Sequence, residues 1–178
     1  MDTKEENIIA VIKKNQEIGF ELLVSKYSQR IYWHIRRAVI SHEDAEDVTQ
    51  ETFIKIFRSI DKLKSHESLT CWIYRIATNE ALRFLEQRKT NVFPIDEAPA
   101  LTADSYVNYS DLEAIVLKKA INSLPPKQRV TFNMRYYDEL EYEEIAAILD
   151  TEVNNVRANY HNAKERIVKY MNSIIQNI

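Results

Sequence analysis

Three groups of polar side chains, each at helical spacing, could carry recognition chemistry in this chain. The first lies between Glu43 and Glu51, a stretch with five acids and no base. At 100° per residue, Glu43, Asp47, Gln50, Glu51 and Arg58 share one face, with Ile54 stranded among them as an apolar anchor. Such a face suits docking on a basic protein surface, and a plain solvated helix surface accounts for the charge run equally well. The second group is Trp72, Arg75, Asn79, Arg83 and Glu86, running into Gln87, Arg88 and Lys89. An indole, guanidiniums and an amide can stack on bases, reach phosphates and bond base edges. On chemistry alone the simpler reading is preferred for this group, an exposed helix with Trp72 half buried. The third group is Asn154, Asn155, Ala158, His161, Asn162 and Glu165, flanked by Arg157, Lys164 and Arg166. Asparagine amides can pair with adenine while the cations hold phosphates.

Catalysis has little to stand on. The chain has no HExxH, no nucleotide-binding glycine loop and no nucleophile with an evident histidine partner. Asp44, Asp47 and Glu51 could share a metal on a helix face, but no histidine stands at ligand spacing, so neither metal nor cofactor is expected. The single Cys71 excludes an internal disulfide. The N-terminus, MDTKEEN, is acidic with no signal-peptide core behind it, and no apolar run approaches membrane-spanning length. The cytoplasm is therefore the expected compartment. A net charge of −3 would count against nucleic-acid binding if charge were spread evenly. It is segregated instead: Ala114–Tyr137 holds Lys118, Lys119, Lys127, Arg129 and Arg135 with no acid, and Asn91–Glu113 holds five acids with no base.

The elements that must position these groups are helices. One glycine and four prolines in 178 residues leave too few turn residues for sheets, and predict an all-α chain. An amphipathic helix is expected over Glu5–Lys14, closed by Gly19, and a long one over Phe20–Ile40. Tyr32 and Trp33 in the long helix read as packing residues. Ser41 opens the acidic helix through Ile60, whose inner side is Ala45, Val48, Thr49, Thr52, Phe53, Ile56 and Phe57. A polar loop over Asp61–Ser68 precedes a helix over Leu69–Lys89, with Leu69, Ile73, Ile76, Ala77 and Phe84 inward. Thr90–Asp111, with Pro94 and Pro99 and no periodicity, reads as an extended acidic linker, open to protease. A helix then runs over Leu112–Ser123, capped by Asp111 and stopped at Leu124-Pro125-Pro126. Ile145, Ala146 and Leu149, followed by Val156, Tyr160, Ala163 and Ile167, fit the two helices of a helix-turn-helix. Asp150 stands at its turn and tolerates a left-handed backbone better than most residues.

Several of these segments resemble one family. DAEDVTQETFIKIF resembles the polymerase-binding helix in region 2 of bacterial sigma-70 factors of the extracytoplasmic-function (ECF) group. CWIYRIATNEALRFL resembles the same region's promoter-reading helix. Leu124–Ile167 is similar to region 4, through the pattern LPxxxR…RYY…L-Y-EIA. The resemblance implies two small helical domains, region 2 over residues 1–90 and region 4 over 112–178, joined by an acidic linker over 91–111. It implies a non-enzymatic factor that binds core RNA polymerase, at the beta-prime clamp and beta flap, and directs it to promoter DNA, commonly under an anti-sigma factor. Polymerase contacts would fall on Asp44, Asp47, Gln50, Glu51, Ile54 and Arg58. The minus-10 element would be met by Lys64, Ser65 and His66 of the loop and by Trp72, Arg75, Asn79, Arg83 and Arg88. The minus-35 element would be met by Arg129, Asn154, Asn155, Arg157, Ala158, His161, Asn162, Lys164 and Arg166. The linker would run toward the RNA exit path. An operator-binding regulator that uses only the C-terminal helix-turn-helix is the alternative, and it leaves the N-terminal half without a task.

Overall fold

The computed structural model describes residues 5–63, 68–90 and 109–175, and every regular element among them is helical. In chain order these are α1 (Glu5–Lys14), α2 (Gln16–Val39), α3 (His42–Ser59), a 3-10 turn (Ile60–Lys62), α4 (Leu69–Thr90), α5 (Tyr109–Asn122), α6 (Pro126–Tyr136), α7 (Tyr142–Leu149) and α8 (Val153–Ile175). Lys64, Ser65 and His66, and nearly all of the expected linker, lie outside the described residues.

The break between α1 and α2 is made by Asn15, and Gly19 lies inside α2. The Asn15 side chain accepts the backbone N–H groups of Glu17 and Ile18 at 3.0 and 3.2 Å, which caps α2. The glycine has a packing role instead of a turn role. A Cβ placed there would fall 2.5–2.6 Å from the Cγ1, Cα and N of Ile12, so α1 crosses α2 at a distance only glycine permits. At the other end of α2, Ile40 has φ 76° and ψ −46°, and the N–H of Ser41 bonds the carbonyl of Val39 at 3.0 Å. This is a positive-φ γ-turn, a strained conformation for a β-branched residue. Ser41 then caps α3 as its sequence suggested, through Oγ to the N–H of Asp44 at 3.5 Å.

Helices α2, α3 and α4 pack on one another, with α1 laid across α2. Leu23, Ile31, Ile35, Ala45, Ile56, Leu69, Ile73 and Ala77 are fully buried there. Each aliphatic side chain of Ile or Leu size so buried contributes about 1.5–3 kcal/mol. Helices α5, α6 and α8 enclose a second cluster of Ala120, Ile121, Leu124, Phe132, Ala163 and Ile167. Pro126 stands in the first turn of α6, where its missing N–H is harmless. Helix α5 begins at Tyr109, so Asp111 lies inside its first turn and does not cap it.

The two halves do not stand apart. Helix α6 packs on α2 and α7 packs on α4, so Val130, Met134, Leu140, Ile145 and Ile148 join the core of the N-terminal half. Polar groups follow the same seam. Asp138, in the turn after α6, meets His34 and Arg37 of α2, and Asn133 Nδ2 donates to the carbonyl of Arg37 at 3.2 Å. Protease cutting of the expected linker must therefore reckon with a shared core. Separation needs that core opened as well as the linker cut.

Candidate nucleic-acid and polymerase interfaces

Helix α3 turns Ala45, Val48, Thr52 and Ile56 inward and leaves Glu43, Asp47, Gln50, Ile54 and Arg58 exposed, as the periodicity predicts. Ile54 is 43 % exposed with Phe57 one turn further at 38 %, so the acidic face carries an apolar spot. Phe57, expected on the inner side, instead rests at the rim, with its ring edge-on to Phe20 at 5.0 Å. Glu51 is half-buried. Asp44 is not free for docking in this structure, because it pairs with Arg88 near the end of α4. A residue assigned to the polymerase and one assigned to DNA thus satisfy each other.

Helix α4 departs most from its expected face. Trp72 is only 8 % exposed and belongs to the core, so it offers no ring to a base here. At 100° per residue Trp72 lies at the boundary between the apolar and polar sides, and the helices packed around α4 decide the matter in favour of burial. Arg75 donates from Nη2 and Nε to the carbonyl of Ala147, at 2.9 and 3.3 Å, reaching across to α7. Asn79 is exposed. Arg83 is exposed but fastened by Nη2 to Glu80 at 2.6 Å, and Lys55 of α3 reaches the other oxygen of that buried carboxylate at 2.5 Å. Of the two cations on this buried acid, Lys55 ties α3 to α4 while Arg83 belongs to α4 itself. Between α4 and α2 lies Tyr74, fully buried, whose phenol pKa is pushed up by burial first and by the nearby Asp138 charge second. It stays neutral.

The helix-turn-helix is α7 and α8. Glu144 accepts the N–H of Glu141 at 2.8 Å and fixes the start of α7. Asp150 adopts φ 50° and ψ 56°, the left-handed turn its position called for. Val156, Ala163 and Ile167 are buried, with Tyr160 partly so. Asn154, Asn155, Ala158, His161, Asn162 and Glu165 all face solvent. Arg157 lies 3.5 Å from Glu143 and over the ring of Tyr142, and both Lys164 and Arg166 are exposed. An exposed polar helix face of this length fits a duplex major groove.

Arg129 is misplaced by the sequence reading. It is 5 % exposed, and donates from Nη1 to the carbonyl of Asn122 at 2.8 Å and from Nη2 to that of Ala38 at 2.7 Å. Those carbonyls end α5 and α2, where a helix presents unpaired oxygens. Burial lowers the pKa of the guanidinium, which nevertheless remains charged. Arg129 is thus a structural cation with no surface left for phosphate. Trp33 errs the other way: expected to pack, it is 48 % exposed, edge-on to Tyr32, whose hydroxyl bonds His42 Nδ1 at 2.7 Å. The sequence reading missed His34, Arg37 and Asp138 altogether. Partners a hundred residues apart leave no local signal.

Comparison with known proteins agrees with this geometry. The sigma-70 region 2 family matches residues 23–90, which run from α2 to the end of α4, and the sigma-70 region 4 family matches residues 115–167. The ECF RNA polymerase sigma-E factor of Escherichia coli strain K12 is 30 % identical over 183 residues, covering 95 % of both chains. The sigma-E factor of Haemophilus influenzae is 30 % identical over 92 % of this chain and 93 % of its own. Among solved structures, CnrH in complex with the cytosolic domain of CnrY shares the fold with a TM-score of 0.72 and 18 % identity, covering 95 % of this chain and 97 % of CnrH. The sigma factor RpoE of Bartonella quintana, solved with the anti-sigma factor NepR, has a TM-score of 0.66 and 20 % identity, covering 86 % and 96 %. With two region models in order along one chain and relatives similar over almost its full length, this protein belongs to the extracytoplasmic-function group of the sigma-70 family.

Proposed function

We propose that this sigma factor directs transcription initiation by dividing three recognition tasks among α3, α4 and α8. The exposed acidic face of α3, with Asp47, Gln50, Glu51 and the Ile54 anchor, docks on a basic surface of core RNA polymerase, its beta-prime clamp. Helix α4, through Asn79, Arg83 and, once released, Arg75 and Arg88, reads the minus-10 strand, together with Lys64, Ser65 and His66. Helix α8 reads the minus-35 duplex through Asn154, Asn155, Ala158, His161 and Asn162, with Arg157, Lys164 and Arg166 on phosphates. Residues 1–90 serve as the region 2 domain, 91–111 as the linker and 112–178 as the region 4 domain, which also meets the beta flap. The chain carries no catalytic residues of its own, works in the cytoplasm and is restrained by an anti-sigma factor, as its Bartonella quintana neighbour is bound by NepR.

The observation that carries this reading is the coexistence of two exposed faces of opposite character on one chain, an acidic-apolar face on α3 and a polar, base-competent face on α8. An operator-binding regulator needs only the second. The test is an electrophoretic mobility assay on promoter duplexes with the chain alone, core polymerase alone and both together. A specific shift that requires both components supports the assignment. A specific shift by the chain alone, unchanged by core enzyme, favours the regulator.

A further inference from the structure

One acid of α4 belongs to none of the three recognition faces, and it is buried. Glu80 is 7 % exposed, and both of its oxygens are taken by cations. Oε1 accepts from Lys55 Nζ of α3 at 2.5 Å. Oε2 accepts from Arg83 Nε and Nη2, at 3.1 and 2.6 Å. Lys55 and Arg83 themselves reach the surface, with side chains 37 % and 51 % exposed. Two positive charges on one negative charge leave the cluster net positive toward solvent.

The way Arg83 is held matters as much as its charge. A guanidinium is a rigid planar fork with five N–H donors. Nε and Nη2 turn one edge of the plane onto a single oxygen of Glu80. The other edge, made by Nη1 and the second N–H of Nη2, makes no hydrogen bond to any described residue. That edge is spaced for two oxygens of a phosphate. Asn79, four residues before Arg83 and so on the same side of α4, is exposed beside it. An arginine already fixed by one edge loses less rotamer freedom when it meets a ligand with the other.

Holding α3 against α4 does not by itself require this chemistry, since apolar residues of similar volume do so at least as well as a buried ion cluster. Lys55 has a part in the charge balance. Without it Glu80 would cancel Arg83, and with it the cluster keeps one positive charge for an incoming anion. We propose that Glu80 is a positioning residue for strand recognition. It holds the Arg83 guanidinium edge-on, so that the outer fork meets a backbone phosphate of the unpaired strand beside the base that Asn79 reads. This deepens the assignment of α4 as the strand reader and rests on it.

The test uses the holoenzyme and a fluorescein-labelled promoter fragment, selected by run-off transcription, whose minus-10 segment is opened in advance by mismatches. Binding is read by anisotropy over a range of salt. Arg83→Ala should weaken binding about tenfold and lower the slope of log K against log salt by about 0.7, as for one phosphate on a single strand. Glu80→Gln leaves the arginine charged but unfixed, and should lose most of the same tenfold. The double variant should bind no more weakly than Arg83→Ala, because both changes remove one contact. Arg83→Lys should be no better than alanine, since its single head is spent on Glu80. Folding is checked by circular dichroism; should Glu80→Gln unfold, Arg83→Lys, on a half-exposed residue, still decides the question. Tighter binding by Glu80→Gln overturns the proposal, because the acid then competes with phosphate, and so does full binding by Arg83→Lys, because charge alone then counts. If Arg83→Ala weakens binding and Glu80→Gln does not, the proposal falls and the assignment of α4 stands. If Arg83→Ala binds unchanged, both fall.

Discussion

Replacing Arg129 with alanine distinguishes a structural cation from a DNA contact, and the structure sets the size of the effect. The guanidinium makes two short hydrogen bonds to carbonyls that end α2 and α5. Hydrogen bonds to a charged group contribute about 1.5–3 kcal/mol each, so the gross loss is about 3–6 kcal/mol. Against this, the variant no longer dehydrates a guanidinium, an offset of several kcal/mol in full burial, but it leaves a void and two helix ends unpaired. A net loss of about 3 kcal/mol is expected, in line with breaking other buried charged contacts. For a chain of this size that lowers Tm by about 6–12 °C. Arg129→Lys, with a single donor head in place of a fork, should recover only part of it. The assay is a thermal melt by circular dichroism, run beside the salt dependence of duplex binding by the holoenzyme. The reasoning is refuted if Tm is unchanged while the slope of log K against log salt falls by about one, the mark of a lost phosphate contact.

Further outcomes follow from the same geometry. Asp47→Lys combined with Glu51→Lys should abolish association with core polymerase in a pull-down while changing stability by no more than about 0.5–1 kcal/mol, because neither side chain is fully buried. Gly19→Ala gains about 1 kcal/mol of helix propensity but forces a methyl into Ile12, and overpacking of about 1–3 kcal/mol should win, giving a lower urea midpoint. Ile40→Gly should stabilise the chain by about 0.5–1 kcal/mol and so raise that midpoint, because it relieves a positive-φ turn; a lower midpoint would mean that the isoleucine contacts outweigh the strain. Asn79→Ala should lower permanganate reactivity of the melted region per bound complex, and Arg157→Ala with Lys164→Ala should weaken duplex binding and flatten its salt dependence.

What could be read from the sequence was whatever repeats along one helix. The inward stripes of α3 and α8, the outward asparagines of α8 and the left-handed Asp150 follow from periodicity and single-residue stereochemistry. What could not be read depends on which helix lies against which. Trp72 and Arg129 sit on faces that look solvated until the neighbouring helices close around α4 and α6 meets α2. Trp33, expected to pack, stays half exposed among the described residues, edge-on to Tyr32. Gly19 looked like a terminator because glycine usually breaks helices, and its role emerges only when Ile12 is placed against it. The clasp of Asp138 joins residues about a hundred positions apart, beyond any window over which a pattern could be sought.

Run-off transcription shows whether this chain directs initiation. Core RNA polymerase is supplied with a library of genomic promoter fragments, with or without this chain, and the 5′ ends of the transcripts are mapped. Discrete start sites should appear only with both components, share a two-part upstream sequence and vanish with the Asp47→Lys, Glu51→Lys variant. The proposed function is contradicted if the chain adds no start sites to core enzyme, or if start sites persist when the α3 face is reversed in charge.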